Sequence, residues 1–432
     1  MRFAILTHSL PQPNSNGGPM TVWAIIEELI RAGNEVVVIA LVYAGDPFAD
    51  SARQAKVRAT GAQLHILTVP SPGHQNLKTK LAGLLDFSRI LVARTVTSDA
   101  IALLKSLRVK AVFLYHWDSV ATLHGWRGLP KLGVVGDPWH LPALRSWQHG
   151  CAQPLSPAFW KRTLAVLASR WLQPRAMVRL LQDCDACGTF QYAETEAFLR
   201  MGVVDCAYFR TAVSDPDRRG IFARRSGQAG TEKNILLGPS NLEATSTRHG
   251  LILFATEILP VLERELGPDG FCVRVVGEGS PPPELARILP RRNVVLTGRI
   301  EPPDDEFRAC AVQLVPTPFV LGIRVRIVTG MAFGCCIVAH QSEAANIPEL
   351  IDGKNCLLAN SGAGLGIKIA MVLRQPALRE DIGRNARCDY ENQFSPAIAV
   401  QPLLQTLERL GNDGSSAGKI AHLAADKKKE SI

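Results

Sequence analysis

Apolar runs short enough to be strands alternate with longer helix-spaced segments along this chain, and the alternation starts afresh near mid-length. Residues 2–7 form the first run, followed by a loop at 8–19 that holds Asn14, Ser15, Asn16, Gly17 and Gly18. Apolar residues at helical spacing then cover 20–31, and Gly33 closes that helix. Further strands are predicted at 35–42, 64–69, 109–115 and 133–136, with a long helix over 91–107 and another unit beginning at 185–189. A stretch rich in Gly, Arg, Ser and Asp at 214–231 interrupts the pattern. Beyond it, strands are predicted at 234–237, 271–276, 293–296, 311–315 and 335–339, with a helix over 251–266. Apolar strands joined through helices pair in parallel, in a sheet covered on both faces. The expected class is therefore α/β, as two doubly wound Rossmann-like domains facing a cleft. Ligands of such sheets sit beyond the carboxyl ends of the strands.

Length and composition agree with that plan. At 432 residues the chain exceeds one ordinary core, so two domains of roughly 200 residues each are expected. The boundaries read as 1–213 for the first domain, 214–232 for a linker and 233–394 for the second domain. A helix at 395–411 and a polar tail at 412–432, read as disordered, complete the chain. An apolar content of 47% with 20% charged residues is that of a globular protein. The net charge of +9 favours anionic partners, or serves solubility alone. No run approaches the ~18 apolar residues of a spanning helix, and the apolar start is too short for a signal-peptide core. The ten cysteines are scattered through apolar runs, as expected of reduced core residues in a cytoplasmic protein. Cys184 and Cys187 form a C-x-x-C, but no second pair stands at zinc spacing, so no metal site is predicted.

The densest chemistry lies at 316–340. The strand at 311–315 runs into a Pro/Gly loop, Pro316-Thr317-Pro318-Phe319-Val320-Leu321-Gly322. That loop opens a short helix bearing Arg324 and Arg326, which Gly334 ends before the next strand. Backbone N–H groups at a helix start attract anions, and two guanidinium groups add fixed positive charge. A diphosphate suits that arrangement. Residues two apart diverge by about 200° on a regular helix, so the two arginines are not expected to meet one phosphate.

The order of motifs over 234–411 resembles that of the retaining glycosyltransferases of the GT-B fold, the group 1 or family 4-like enzymes that use nucleotide-sugar donors. The motifs are Arg248-His249-Gly250, then Val275-Val276-Gly277-Glu278-Gly279, then Asn293-Val294-Val295-Leu296-Thr297-Gly298 and Val315-Pro316. The segment from Gly322 to Gly334, Ile347-Pro348-Glu349-Leu350-Ile351-Asp352-Gly353-Lys354-Asn355 and Phe394-Ser395 complete the series. The resemblance implies transfer of a sugar from a nucleoside-diphosphate donor to a glycan or lipid-linked glycan acceptor, with retention of configuration. It implies no cofactor, the nucleotide sugar being a substrate, and no catalytic metal. It also implies that the last helix crosses back to the first domain.

The same resemblance assigns roles. Arg326, where some relatives carry lysine, is expected to face the diphosphate, supported by Arg324 and by the N–H groups of Gly322 and Ile323. Arg248 and His249 occupy a basic site that would neutralise the leaving phosphates. Gly277 lets a loop pass close to the base or phosphate, and Thr329 and Glu349 fall at the nucleotide and ribose. Gly17 and Gly18 are similar to a glycine pair that approaches the donor phosphate or the acceptor. Asp137, His140 and His116 are candidates to bond the sugar and stabilise positive charge at the anomeric carbon. Each assignment has a plainer alternative: a solvated arginine pair, an exposed helix start, an ordinary turn, a helix cap, a structural histidine. The chain also departs from the pattern. Many relatives carry glutamate where Thr329 stands, and an earlier acidic residue is replaced by the apolar Phe319-Val320-Leu321. Thr offers one weaker hydrogen bond in place of a charged bidentate contact. That substitution keeps open a non-catalytic binding subunit. A sugar-nucleotide 2-epimerase on the same fold is a further alternative, which would need several acid–base carboxylates and histidines that the sequence does not single out.

Residues 141–182 contain no Asp or Glu but carry Arg145, Lys161, Arg162, Arg170, Arg175 and Arg179 with Trp147, Trp160 and Trp171. Lys78, Lys80, Arg89 and Arg94 form a second basic stretch. Basic amphipathic helices with interfacial Trp lie on anionic lipid, so peripheral attachment to the inner membrane face is one expectation. Packed helices with a solvated basic side are the other. The basic residues follow no known nucleic-acid module, and no nucleic-acid partner is expected.

Overall fold

A computed structural model describes residues 1–13, 17–44, 46, 49–69, 94–138, 140–148, 157–216, 233–285, 288–289 and 291–413. Asn14 to Asn16, Lys78, Lys80, Arg89, Trp139, most of the expected linker and the tail from 414 lie outside the described residues. So do the side chains of Arg94, His140, Lys161 and Arg162. The chain divides into two units. The first comprises Met1–Gln12, Val22–Arg210 and the chain from Val400, and the second Pro13–Thr21 and Thr211–Ala399.

Seven parallel strands form the sheet of the first unit. They are β1 (Arg2–Thr7), β2 (Glu35–Tyr43), β3 (Gln63–Val69), β4 (Ala111–Tyr115), β5 (Lys131–Val135), β6 (Ala186–Thr189) and β7 (Cys206–Tyr208). Their order is β3-β2-β1-β4-β5-β6-β7, all neighbours being parallel. The second unit holds β8 (Asn234–Asn241), β9 (Cys272–Glu278), β10 (Val294–Gly298), β11 (Val312–Val315), β12 (Cys336–His340) and β13 (Leu357–Ala359). Their order is β10-β9-β8-β11-β12-β13, again all parallel. Both sheets are doubly wound, reversing direction between β1 and β4 and between β8 and β11. The sites beyond the carboxyl ends at those reversals are the natural ligand positions of such sheets.

The strands read as continuous apolar runs because helices cover both faces. Val36 to Val42 of β2 are all buried. Lys131 is the exception in β5, with 1% of its side chain exposed; its Nζ is 2.6 Å from Asp183 Oδ2 and donates to the Leu123 carbonyl. A buried ammonium is tolerable only with such partners. The helix Gln401–Asp413 packs on β4 and β5 of the first unit through Leu403, Leu404 and Leu407.

Several boundaries differ from the sequence expectation. The first helix spans Gly17–Arg31, so Gly17 and Gly18 form its first turn and not the preceding loop. Pro19 is tolerated there because the first N–H groups of a helix have no intrahelical acceptor. The helix expected at 251–266 begins earlier, as Thr245–Leu253, passes through a π turn at Phe254–Ile258 and ends as Leu259–Leu266. Pro260 lacks the N–H of a regular turn, which the wider turn accommodates. Strands β7 and β13 were not anticipated: three residues each is too short a run to show periodicity.

Candidate functional site

In the second unit a cavity of about 280 Å³ lies where β8, β9 and the helix Val325–Ala332 converge. Its walls include Ser240, Asn241, Gly277, Ile323, Arg324 and Arg326. Gly277 is there for a packing reason as well: a Cβ would fall 2.1 Å from the Ser240 carbonyl oxygen of the paired strand. Gly17 also lines the cavity, and a Cβ on it would come within 2.8 Å of Val325 Cγ2. Gly18 is not among the lining residues.

Arg324 precedes the helix, at its N-cap, with φ −89° and ψ 77°. The expectation that the two arginines diverge assumed that both lie on a regular helix. Because one lies before it, both line the same cavity. Their roles differ. Arg324 donates through Nη2 to the Leu321 carbonyl at 2.5 Å, and its Nε is 3.5 Å from Glu343 Oε1. It ties the loop together. Arg326 Nε is buried without a hydrogen-bond partner. Burial, and then the neighbouring Arg324, hold its guanidinium down to about 10, against the pull of Glu343. Below the helix, Gln313 of β11 donates from Nε2 to the Arg326 carbonyl at 2.7 Å. A Cβ on Gly330 would overlap Gln313 Oε1, at 1.7 Å.

Glu343 is the counter-charge of the pair. It sits in the short helix Glu343–Asn346, and burial pushes its carboxyl up to about 7 despite the two arginines. At the rim, Arg299 bridges Glu278 at 2.5 Å and Glu301 at 2.9 Å. Ser240 Oγ, buried, has no hydrogen-bond partner.

Other expected residues lie elsewhere. Arg248 pairs with Glu284 at 2.8 Å on the surface, and His249 bonds the Thr245 carbonyl and stands edge-on to Phe319. Glu349 accepts at its carbonyl from Asn355. None of the three lines the cavity. Gly322, at φ 67°, shapes the turn into the helix, and Ile323 lines the cavity beside it. Thr329 also lines it, but its hydroxyl donates to the Val325 carbonyl at 3.1 Å. It therefore faces the cavity as an acceptor.

The first unit gathers polar groups at the carboxyl ends of β1, β4, β5 and β6. His8 follows β1 and lies 4.3 Å, centroid to centroid, from His116, which follows β4 at φ 72°. Trp117 donates to the carbonyls of Gly136 and Asp137 at 3.2 and 3.0 Å, fixing the β5 end against the β4 end. Burial and the neighbouring His116 push His8 down to about 3. Burial also lowers His116, which Asp118 and Asp137 partly offset. Glu194 is buried, accepts from Gln191 at 2.6 Å and is held well above the carboxylate range by burial and by Asp137. Asp137 and His116 thus come together, whereas His140 opens the helix His140–Gln148 with its side chain undescribed. His8, Glu194, Glu343 and Arg299 escaped the sequence reading. Only His8 carried a signal, its place directly after the first strand.

Two doubly wound parallel sheets of these orders define the class, the GT-B fold, and solved structures match it along nearly the whole chain. Sucrose-phosphate synthase from Thermosynechococcus elongatus superimposes with a TM-score of 0.67 at 15% identity, over 96% of this chain and 100% of that one. Anabaena HepE in complex with UDP and glucose does so at 0.61 and 15%, over 94% and 99%. An S. aureus TarM variant in complex with fondaparinux, alpha-GlcNAc-glycerol and UDP gives 0.64 and 12%, over 95% and 99%. No curated protein matches by sequence. Residues 234–375 match the family described as Glycosyl transferases group 1. Within the second unit the chain thus carries a glycosyltransferase group 1 domain.

Proposed function

We propose that the protein transfers a sugar from a nucleoside-diphosphate sugar to a glycan or lipid-linked glycan acceptor, with retention of configuration. Arg326 carries the proposal. The residue lines a cavity, beside the start of the helix Val325–Ala332, and its Nε is buried and unpartnered. A diphosphate would supply the missing acceptor and the charge. In the reaction the bond from the anomeric carbon to the diphosphate oxygen breaks, a bond to an acceptor hydroxyl oxygen forms, and the hydroxyl proton passes to the departing diphosphate. Charge therefore builds on the leaving diphosphate, where fixed cations stabilise it most. The buried imidazoles of His8 and His116 and the buried carboxyl of Glu194, all pushed toward their neutral forms, suit sugar hydroxyls, which both donate and accept. UDP is the first nucleotide to test, since HepE binds it.

Thermal unfolding with a panel of nucleotide sugars tests the donor. A true donor at about a hundred times its Kd adds about 2.7 kcal/mol of stability. Stabilisation by none of them, or an equal response from Arg326→Ala, would remove the proposal. Product NMR with the donor so found, reading the anomeric configuration, tests retention. No helix among the described residues is long and apolar enough to cross a membrane.

A further inference from the structure

The helix Pro157–Gln182 presents an apolar stripe to solvent. Trp160 is 57% exposed, Leu164 65%, Leu167 50% and Trp171 71%. At about 100° per residue these four positions fall on one narrow strip of the helix. Arg170 lies to one side of that strip and Arg175 and Arg179 to the other, all three exposed. The Arg175 guanidinium stands 5.6 Å from the centroid of the Trp171 ring. A groove of about 620 Å³ runs along the same helix, lined among others by Arg170, Trp171, Arg175, Arg179 and Met201. Met177, Leu180 and Leu181 of the same helix are buried in the first unit's core. One face anchors the helix and the other is offered outward.

Charge identifies the occupant. No Asp or Glu occurs between 141 and 182, so this helix brings arginines and no carboxylate to the stripe. A second copy docking through this face would bring arginine against arginine across a two-fold axis. An anionic bilayer answers both features. Leucines enter the acyl boundary, tryptophans sit at the headgroup level, and arginines reach lipid phosphates.

We propose that this face docks on an anionic lipid surface, with Leu164, Leu167 and Trp171 inserted and Arg170, Arg175 and Arg179 on the headgroups. The donor cavity plays no part in it, so the two readings fail separately. Flotation of the full chain on vesicles tests it, with phosphatidylcholine alone or with about a third phosphatidylglycerol, at physiological salt. The chain should float with the anionic vesicles and stay behind with the neutral ones. Replacing Arg170, Arg175 and Arg179 together by Gln should lower the partition coefficient about a hundredfold, at about fivefold per charge. The double substitution Leu164→Glu and Leu167→Glu should abolish flotation while leaving the melting temperature and nucleotide binding of the parent. Equal flotation on neutral vesicles, no flotation of the parent chain, or undiminished flotation of the leucine variant would each overturn the proposal. So would a dimer in sedimentation velocity that the leucine variant dissolves.

Discussion

The polar groups of the two units are managed in opposite ways. The second unit keeps a cation in place: Arg326 lines the cavity with its Nε unpartnered, and Glu343 partly neutralises the arginine pair. The first unit suppresses charge: His8 and His116 are pressed toward neutrality, and burial and Asp137 push Glu194 toward its acid form. A cationic pocket discriminates for phosphates. A neutral cluster that donates and accepts discriminates for hydroxyls. Sequence shows residue types but not which of these two fates a titratable residue meets.

The largest expected effect separates a cavity arginine from a surface one. Arg326→Ala should weaken UDP binding by about 2–3 kcal/mol, the worth of a charge-assisted hydrogen bond, by titration calorimetry. Arg248→Ala, whose partner is the exposed Glu284, should change it by less than about 1 kcal/mol. Equal losses would erase the distinction between the two arginines. In the first unit, Glu194→Ala should lower unfolding free energy by about 2 kcal/mol, because the Gln191 amide loses its buried acceptor. Glu194→Gln should stay within about 1 kcal/mol, since burial already pushes the native carboxyl toward its neutral form. Urea denaturation of both variants at neutral pH reads the contrast.

The next effect is a pH dependence. Glu343 is raised from 4.5 to about 7 in the folded state. Its stability contribution is therefore complete below pH 4.5 and is lost as pH rises through about 7. Over the same window its protonation unmasks the arginines, so UDP affinity should rise on acidification from pH 8 toward 7. Glu343→Gln should bind UDP more tightly at pH 8 and lose that part of the slope. A slope identical to that of the parent would remove Glu343 from the electrostatics of the pocket. The smallest effect is expected at Thr329, whose proton is already committed to the Val325 carbonyl. Thr329→Val should alter UDP affinity by less than about 0.5 kcal/mol.

Much of the fold was legible because parallel strands buried on both faces are continuous apolar runs, and Val36 to Val42 is the plainest case. The start of the first helix was not, since Gly17-Gly18-Pro19 looks like a turn until tertiary packing recruits it. In the site, the position of Arg324 and Arg326 followed from a local pattern, a strand, a glycine loop and a helix start. Arg248 and His249 had an equally basic look, but Glu284 answers one and a carbonyl of its own helix the other. Glu343 and Glu194 could not be found from sequence, and His8 only by its place after the first strand: what marks them is burial beside charged or ring-bearing groups that are remote in the chain.

The amide of Gln313 beneath the arginine-bearing helix has a last consequence. It grips the Arg326 carbonyl and fills the space that any side chain at position 330 would need. The helix is riveted to β11 by a neutral group, so no acidic residue is consumed in aiming the cation. The cation stands ready before an anion arrives, and capture should proceed with little rearrangement of the backbone around it.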